Sequence, residues 1–233
     1  MSKSLKVFNT KVLLVLCLGL FCLQEKVFAS INNSSKNNNI YLFRAAKNGD
    51  LAWVKKLVEK KNADVNYKTS SGKTVLIKAA TSKSKKVVNY LLLLKDKDNK
   101  KIVNFNCVDN NGQTAMHKAA KNDDYVIVKM LVKVGADKNK QDRWGNTALH
   151  IASKKGLTEV VKELLENGNE YDNLEIKNSN GDTPLQQAVR ANYKSVVELL
   201  LKNGAKINTI NKNGKMPIDY AKGEVKKLLS KKV

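Results

Sequence analysis

The stretch Asp142-Arg143-Trp144-Gly145-Asn146-Thr147-Ala148-Leu149-His150-Ile151-Ala152 decides the fold of this 233-residue chain. It predicts a tight turn at the glycine and a helix that begins near the threonine, because glycine tolerates positive φ and a threonine hydroxyl caps a helix amino terminus. The turn glycine recurs at intervals of 40, 33, 36 and 33 residues, as Gly72, Gly112, Gly145, Gly181 and Gly214. A period near 33 residues indicates a repeat architecture.

A second pattern follows each of these turns. Val160-Val161-Lys162-Glu163-Leu164-Leu165 has apolar residues at spacings of 3 and 4, and the pattern returns at Val196-Val197-Glu198-Leu199-Leu200. Such spacing predicts a helix with one apolar stripe. No single copy can bury that stripe alone, so the copies are expected to stack into one core.

These motifs, in register over about 190 residues, resemble the ankyrin repeat family, whose copies carry a turn glycine followed by T-P-L-H-x-A, V-V-x-x-L-L and G-A. The resemblance implies an all-α repeat solenoid built from a β-turn plus helix–turn–helix unit. We expect about six copies in a domain spanning residues 39–233, the two end copies being degenerate. Their expected bounds are about 39–68, 69–108, 109–141, 142–177, 178–210 and 211–230, and the 40-residue interval indicates an insertion at Lys95 to Lys101.

Residues 1–29 predict a secretory signal peptide. Lys3, Lys6 and Lys11 precede the apolar run Val12 to Leu23, and small residues end the segment at Ala29. Twelve helical residues span roughly 18 Å, which is too short for a bilayer core of about 30 Å. An uncleaved amino-terminal anchor is the alternative. Residues 30–38 are expected to form a polar linker, and the exported protein is expected in a bacterial periplasm, with onward secretion as a second possibility.

Composition bounds the chemistry. Cleavage would leave Cys107 as the single cysteine, so no intrachain disulfide is expected, and would reduce the formal charge from +22 to +19. Such a charge attracts anions non-specifically. Only three of the 43 basic residues are arginine, the residue that makes bidentate base contacts, which argues against specific nucleic-acid binding. A surface that binds an anionic membrane or a polyanion remains an alternative, as does a lysine excess of purely compositional origin.

The sequence indicates no catalysis. No nucleophile elbow, phosphate-binding glycine loop or H-E-x-x-H motif is present. His117 and His150 occupy equivalent places in adjacent copies, but a zinc site needs three or four clustered ligands. The resemblance implies that both histidines are structural and hydrogen-bond to the loop of the neighbouring copy, while Gly112, Gly145 and Gly181 form the turns. We therefore expect a non-enzymatic protein without metal or cofactor.

The resemblance also implies a protein partner bound on the concave side, by the turn tips and the outer faces of the first helices. Carried over by position, this surface is Asn110, Asn111, Gln113, Lys121, Asn122, Arg143, Trp144, Asn146, Lys154, Lys155, Ser179, Asn180, Asp182 and Arg190. Trp144 is the expected anchor, because aromatic and arginine residues are enriched at interface hot spots; packing over the adjacent turn is its alternative role. Trp53, on a second-helix stripe, is expected in the core.

The expected function is a non-catalytic, exported protein-binding scaffold. One alternative is a secreted effector that binds a host protein. Another is the electrostatic binder of a membrane surface or polyanion, whose binding should collapse with rising salt. The identity of the partner and the oligomeric state are left open by the sequence.

Overall fold

The computed structural model describes residues 37–166 and 174–231. The predicted signal peptide and residues 30–36 of the predicted linker lie outside the described residues. The helices in chain order are α1 (residues 37–48), α2 (Leu51–Lys61), α3 (Val75–Thr81), α4 (Lys85–Leu93), α5 (Ala115–Lys121), α6 (Tyr125–Lys133), α7 (Ala148–Lys155), α8 (Thr158–Leu165), α9 (Pro184–Arg190), α10 (Lys194–Lys202), α11 (Pro217–Tyr220) and α12 (Gly223–Ser230).

The helices form two layers. The first helices of copies two to six, α3, α5, α7, α9 and α11, pack each on the next, and the second helices α2, α4, α6, α8, α10 and α12 form a parallel row. One continuous apolar core lies between the rows and includes Leu57, Leu91, Leu131, Leu164 and Leu200. The predicted all-α repeat solenoid is confirmed.

Each first helix from α3 to α9 begins at a capping threonine. The hydroxyls of Thr74, Thr114, Thr147 and Thr183 accept a hydrogen bond from the N–H three residues later at 3.3–3.4 Å. This cap satisfies one of the free N–H groups at the helix start and typically contributes about 1 kcal/mol. The threonines therefore fix where the helices that line the concave side begin.

The turn tips are joined by a ladder of main-chain hydrogen bonds. The N–H of Arg143 donates to the carbonyl of Asn111 at 3.0 Å, and the N–H of Ser179 donates to the carbonyl of Trp144 at 2.9 Å. Gly145 sits at φ 72°, and a Cβ there would lie 2.7 Å from the Ser179 nitrogen. Gly112 and Gly181 have the same close neighbour in the next turn. Glycine is required because the turns touch through their backbones.

One boundary differs in detail from the sequence prediction. Residues 37 and 38, placed in the linker, belong to α1, and Asn38 Nδ2 donates a hydrogen bond to the Lys61 carbonyl at 3.1 Å. The first repeat helix therefore includes the last two residues of the predicted linker. The predicted insertion forms a loop after α4 that closes with an antiparallel bridge between Lys95 and Lys101.

The sixth copy is short. Its first helix has four residues, Pro217–Tyr220, and α12 follows after two more residues. Across residues 37–166 and 174–231, no helix combines the length and apolar character needed to cross a bilayer.

Candidate partner-binding groove

A groove of about 520 Å³ opens on the concave side between the third and fifth copies. Its walls come from the turn tips, and its floor comes from the first helices α5, α7 and α9. Eight of the fourteen predicted surface residues line it. The lining consists of Gln113, Lys121, Asp142, Trp144, Asn146, His150, Ile151, Lys154, Lys155, Asn178, Ser179, Asn180 and Gln187.

Trp144 forms one wall of the groove. Its side chain is 45% exposed, and the Arg143 guanidinium stacks on the indole at 4.1 Å. The Trp144 backbone, in contrast, is fixed on both sides, because its N–H donates to Asp142 Oδ1 and its carbonyl accepts from Ser179. A rigid backbone thus holds an exposed indole. Preorganised aromatic contacts of this kind are typical interface anchors.

Three lysines stand around the groove. Lys121 and Lys154 occupy the same position near the ends of α5 and α7, and all three ammonium-bearing side chains are exposed. Lys155 Nζ donates to the Lys121 carbonyl at 2.6 Å and so bridges the two helix ends. The equivalence follows from the repeat, which places one side chain per copy along the same row.

One carboxylate lines the groove, and its oxygens are already engaged. Asp142 Oδ1 accepts from the N–H groups of Trp144 and Asn146 at 3.0 and 2.9 Å, and its Oδ2 accepts from Gln113 Nε2 at 3.2 Å. The residue is 6% exposed. Asp142 therefore builds the turn, and the electrostatic character of the groove surface is set by the lysines.

Buried histidines tie the copies together beneath the groove. His117 Nε2 lies 3.0 Å from the Asn146 carbonyl oxygen, and His150 Nε2 lies 3.0 Å from the Asp182 carbonyl oxygen. The Thr147 N–H donates to His150 Nδ1 at 3.2 Å, as the Thr114 N–H does to His117 Nδ1. A carbonyl can only accept, so each neutral ring carries its proton on Nε2. Gln186 holds the equivalent place, bonded to the Thr183 N–H and to the Lys215 carbonyl.

The environment of the two histidines favours a structural role over a role in proton transfer. Burial lowers the pKa of His150 to about 4, and it also lowers the pKa of His117. Both rings are neutral at pH 7 and use both nitrogens inside the fold. The described residues contain no group of three or more His, Cys, Asp or Glu side chains that could hold a metal ion.

A family model described as "Ankyrin repeats (3 copies)" matches the sequence in overlapping windows, at residues 13–102, 42–142, 93–175, 128–211 and 171–231. The chain belongs to the ankyrin repeat family. Ankyrin repeats are protein–protein interaction scaffolds, typically non-catalytic, and they bind protein partners.

Several curated proteins share these ankyrin repeats. NF-kappa-B inhibitor zeta of Homo sapiens is 32% identical over 119 residues, which cover 44% of this chain and 17% of that protein. The ankyrin repeat protein YahD of Escherichia coli (strain K12) is 28% identical over 158 residues, covering 52% and 78% respectively. Neurogenic locus notch homolog protein 1 of Mus musculus is 29% identical over 116 residues, covering 50% and 4%. The chain thus spans about a sixth of the inhibitor and most of YahD.

Asp182 was predicted on the ankyrin binding surface, and that prediction is wrong. The residue is fully buried, and its carboxylate accepts from Arg190 at 3.0 Å, Gln187 at 2.8 Å and Asn211 at 2.7 Å. It joins the fifth copy to the sixth. Gln113 is 7% exposed and reaches the groove only with its edge, because its amide also bonds to Asp142 and Lys118.

Other predicted residues lie on the concave side but outside the groove. Asn110 Nδ2 donates to the Ser70 carbonyl at 3.0 Å, and Asn122 Nδ2 donates to the Thr81 carbonyl at 2.8 Å, so both join the second copy to the third. Arg190 pairs with Asp182 and stacks on Tyr220 at 4.3 Å. Asn111 and Arg143 bond through their backbones. These residues thus help to hold neighbouring copies together.

The groove also includes residues that the sequence prediction missed, among them Ile151, Asn178 and Gln187. Ile151 had a signal in the sequence, because it stands at the position of Lys78 and Lys118 in the copies before it. An apolar residue there, on a face otherwise polar, marks the floor of the groove.

Proposed function

We propose that this ankyrin protein is an exported scaffold that holds a protein partner against the groove between its third and fifth copies. The observation that carries the proposal is the exposed indole of Trp144 on a backbone fixed by Asp142 and Ser179, beside a cavity of about 520 Å³. Residues of three turn tips and three helices meet there, and the core does not need the indole.

Trp53 supplies the matched control. It was expected in the core, but its side chain is 37% exposed on α2, with the Lys56 ammonium 5.0 Å from the ring centroid. The buried residues of α2 are Val54 and Leu57 instead. The chain therefore has two exposed tryptophans, one in the groove and one remote from it.

The test is photo-crosslinking in cells that express the full chain, with a benzophenone amino acid placed at position 144 or at position 53. We expect a crosslinked protein from position 144 and not from position 53. We further expect that Trp144→Ala, probed by a crosslinker at position 146, loses the product without lowering the melting temperature measurably. Equal products from positions 144 and 53 would contradict the groove as the binding site.

Export is part of the proposal and has its own test. The supporting observations are the basic start, the apolar run from Val12 to Leu23 and the small residues that end at Ala29. A mature chain that begins at Ser30 in the periplasmic fraction is expected from mass spectrometry. An intact chain in the membrane fraction would instead show that the apolar run is an anchor.

The lysine excess favours a second candidate, an electrostatic binder of polyanions or anionic membranes. Lys47, Lys73 and Lys78 lie close enough together that the first two charges lower the pKa of Lys78, after the larger effect of burial. Such binding should fall steeply between about 50 and 200 mM salt. A partner held through Trp144 should lose much less affinity over that range, so the steepness of the salt dependence separates the two candidates.

A further inference from the structure

We infer that the groove accepts an extended acidic peptide segment, with an apolar side chain placed against Trp144 and Ile151 and carboxylates paired with Lys121 and Lys154. This inference rests on the proposed function and specifies its partner. The second helices face away from this segment and take no part in binding it.

The apolar part of the site lies between Trp144 and Ile151. The indole is 45% exposed, and Ile151 is half-buried on the floor provided by α7. A volume of about 520 Å³ lies in the range of sites for small ligands, roughly 300–1,000 Å³. It has room for one or two inserted side chains. A single apolar anchor from an extended chain therefore suits it better than the broad face of a helix.

The polar part of the site is cationic. Three lysines and one carboxylate line the groove, and that carboxylate, Asp142, already accepts three hydrogen bonds from the protein. A basic partner would be repelled by the ammonium groups of Lys121 and Lys154, and the one carboxylate in the lining of the groove is already engaged. An acidic partner gains charge-assisted hydrogen bonds, which are about twice as strong as neutral ones.

The concave face remains cationic toward the amino terminus. In the third copy Lys118 pairs with Asp109 at 2.7 Å, so its charge is neutralised. The equivalent Lys78 has no carboxylate partner within the described residues and lies near Lys47 and Lys73 instead. The acidic segment is therefore expected to extend from the groove toward the second copy, and away from the neutralised Asp182–Arg190 pair of the fifth.

The test uses a library of random twelve-residue peptides displayed on phage and selected against the immobilised full chain. We expect the enriched peptides to carry at least two Asp or Glu residues around one aromatic or aliphatic residue. Their affinities, measured by fluorescence polarisation, should fall about tenfold in the Lys121→Gln, Lys154→Gln double variant, which is the loss expected when two exposed ion pairs are removed. Trp144→Ala should cause a similar loss.

The matched control is the Lys133→Gln, Lys202→Gln double variant. It removes the same two charges from exposed positions at the ends of the second helices α6 and α10. Its affinity for the peptides should change less than about twofold, because exposed charges more than about 10 Å from the site are screened by salt. Equal losses in the two double variants would overturn the inference, since the general field of the protein would then explain binding.

The other outcomes separate the inference from the proposed function. Neutral or basic peptides that still require Trp144 would overturn the acidic specificity and leave the groove as the binding site. Peptides insensitive to Trp144→Ala would overturn both. Vesicles that contain phosphatidylserine serve as a further probe. If they bind the chain more tightly than any selected peptide, with equal losses in both lysine variants, the ligand is an anionic surface and the inference is wrong.

Discussion

The second and third copies pack against each other, yet they hold the next copy by different means. In the third copy His117 bonds across the junction to the Asn146 carbonyl, while the second copy has Ile77 at that position, 1% exposed and bonded to nothing through its side chain. Both junctions keep the ladder of turn hydrogen bonds and the apolar core. Stacking therefore does not require the imidazole, which adds a hydrogen bond that depends on pH.

The second and third copies also differ in how they use the lysine at one equivalent position. Lys118 of the third copy pairs with the buried Asp109. In the second copy the position of Asp109 is held by Thr69, which bonds within its own turn, and the counterpart Lys78 lies over the Phe43 ring. The third copy thus uses its lysine inside the fold, and the second leaves its lysine available on the surface. Four experiments test how the copies differ.

Acidification should weaken the histidine junctions most. The folded pKa of His150 is about 4 because the ring is buried, whereas an unfolded histidine has a pKa of about 6.5. The unfolded state therefore binds more protons between these values, so stability is full above pH 6.5 and is lost as the pH falls toward 4. Such a shift corresponds to about 3 kcal/mol. Urea unfolding at pH 7, 5.5 and 4.5 measures it.

His150→Gln is the control for acidification. Gln186 makes the equivalent bonds to the Thr183 N–H and the Lys215 carbonyl at 3.0 and 2.9 Å, so glutamine can keep the junction without a titrating group. The variant should lose much less stability over the same pH range than the parent protein. An unchanged pH dependence would show that carboxylates, and not this imidazole, control the acid response.

Removing the imidazole of His150 should have the next largest effect on the free energy of unfolding. His150→Leu leaves the Asp182 carbonyl and the Thr147 N–H without their buried partner, and we expect a loss of about 2 kcal/mol at pH 7. Ile77→Leu, at the equivalent place in the second copy, should cost less than about 1.5 kcal/mol because the volume is conserved. Chemical denaturation of both variants makes the comparison; equal losses would mean that the imidazole matters only for its shape.

The two lysines should separate by a smaller margin. Lys118→Gln leaves Asp109, which is 1% exposed at its side chain, without an ammonium, and should cost about 1–2 kcal/mol. Lys78→Gln should change stability by less than about 0.5 kcal/mol, because no carboxylate loses a partner. A costly Lys78→Gln would refute the view that this lysine is free for a ligand.

The smallest effect concerns the turns between paired helices. Asp123, Asn192 and Gly156 have positive φ there, as their residue types suggest, but the second copy has Lys83 at φ 57°. A lysine gains nothing in this conformation, so Lys83→Gly should raise the unfolding free energy by about 0.5–1 kcal/mol. Asp123→Gly at the same place should gain less. Thermal unfolding of the two variants tests this ranking.

The sequence predicted what depends on local chemistry. The capping threonines, the turn glycines and the apolar stripes act within a few residues, so their spacing was enough to place the helices of copies two to six. The resemblance implied a cross-copy bond for each histidine, and the structure has one at each. Eight of the fourteen residues expected on the binding surface line the groove, among them Trp144 and three lysines, since the repeat puts equivalent positions in one row.

The rest depended on neighbours about thirty residues away. Asp182 stands where Asn146 and Gln113 stand, and only Asn211 and Arg190 make it an internal residue. Trp53 follows the apolar stripe in sequence, but it lies one residue before Val54 and therefore about 100° around the helix from the buried line. Ile151 belongs to the groove because α5 and α9 flank it. Each of these facts is set by packing between copies.

The hydrogen bonds between successive turns allow the array to lengthen by duplication of one copy. The third copy, residues 109–141, has the donors and acceptors needed to stack on a duplicate of itself. His117 would bond to the carbonyl of a second Gln113, as it now bonds to that of Asn146. The N–H of a second Asn110 would donate to the Asn111 carbonyl, as the Arg143 N–H does now. A tandem duplication of these 33 residues therefore keeps both kinds of junction hydrogen bond. The second copy, with Ile77 in place of the imidazole, would lengthen the array without that bond.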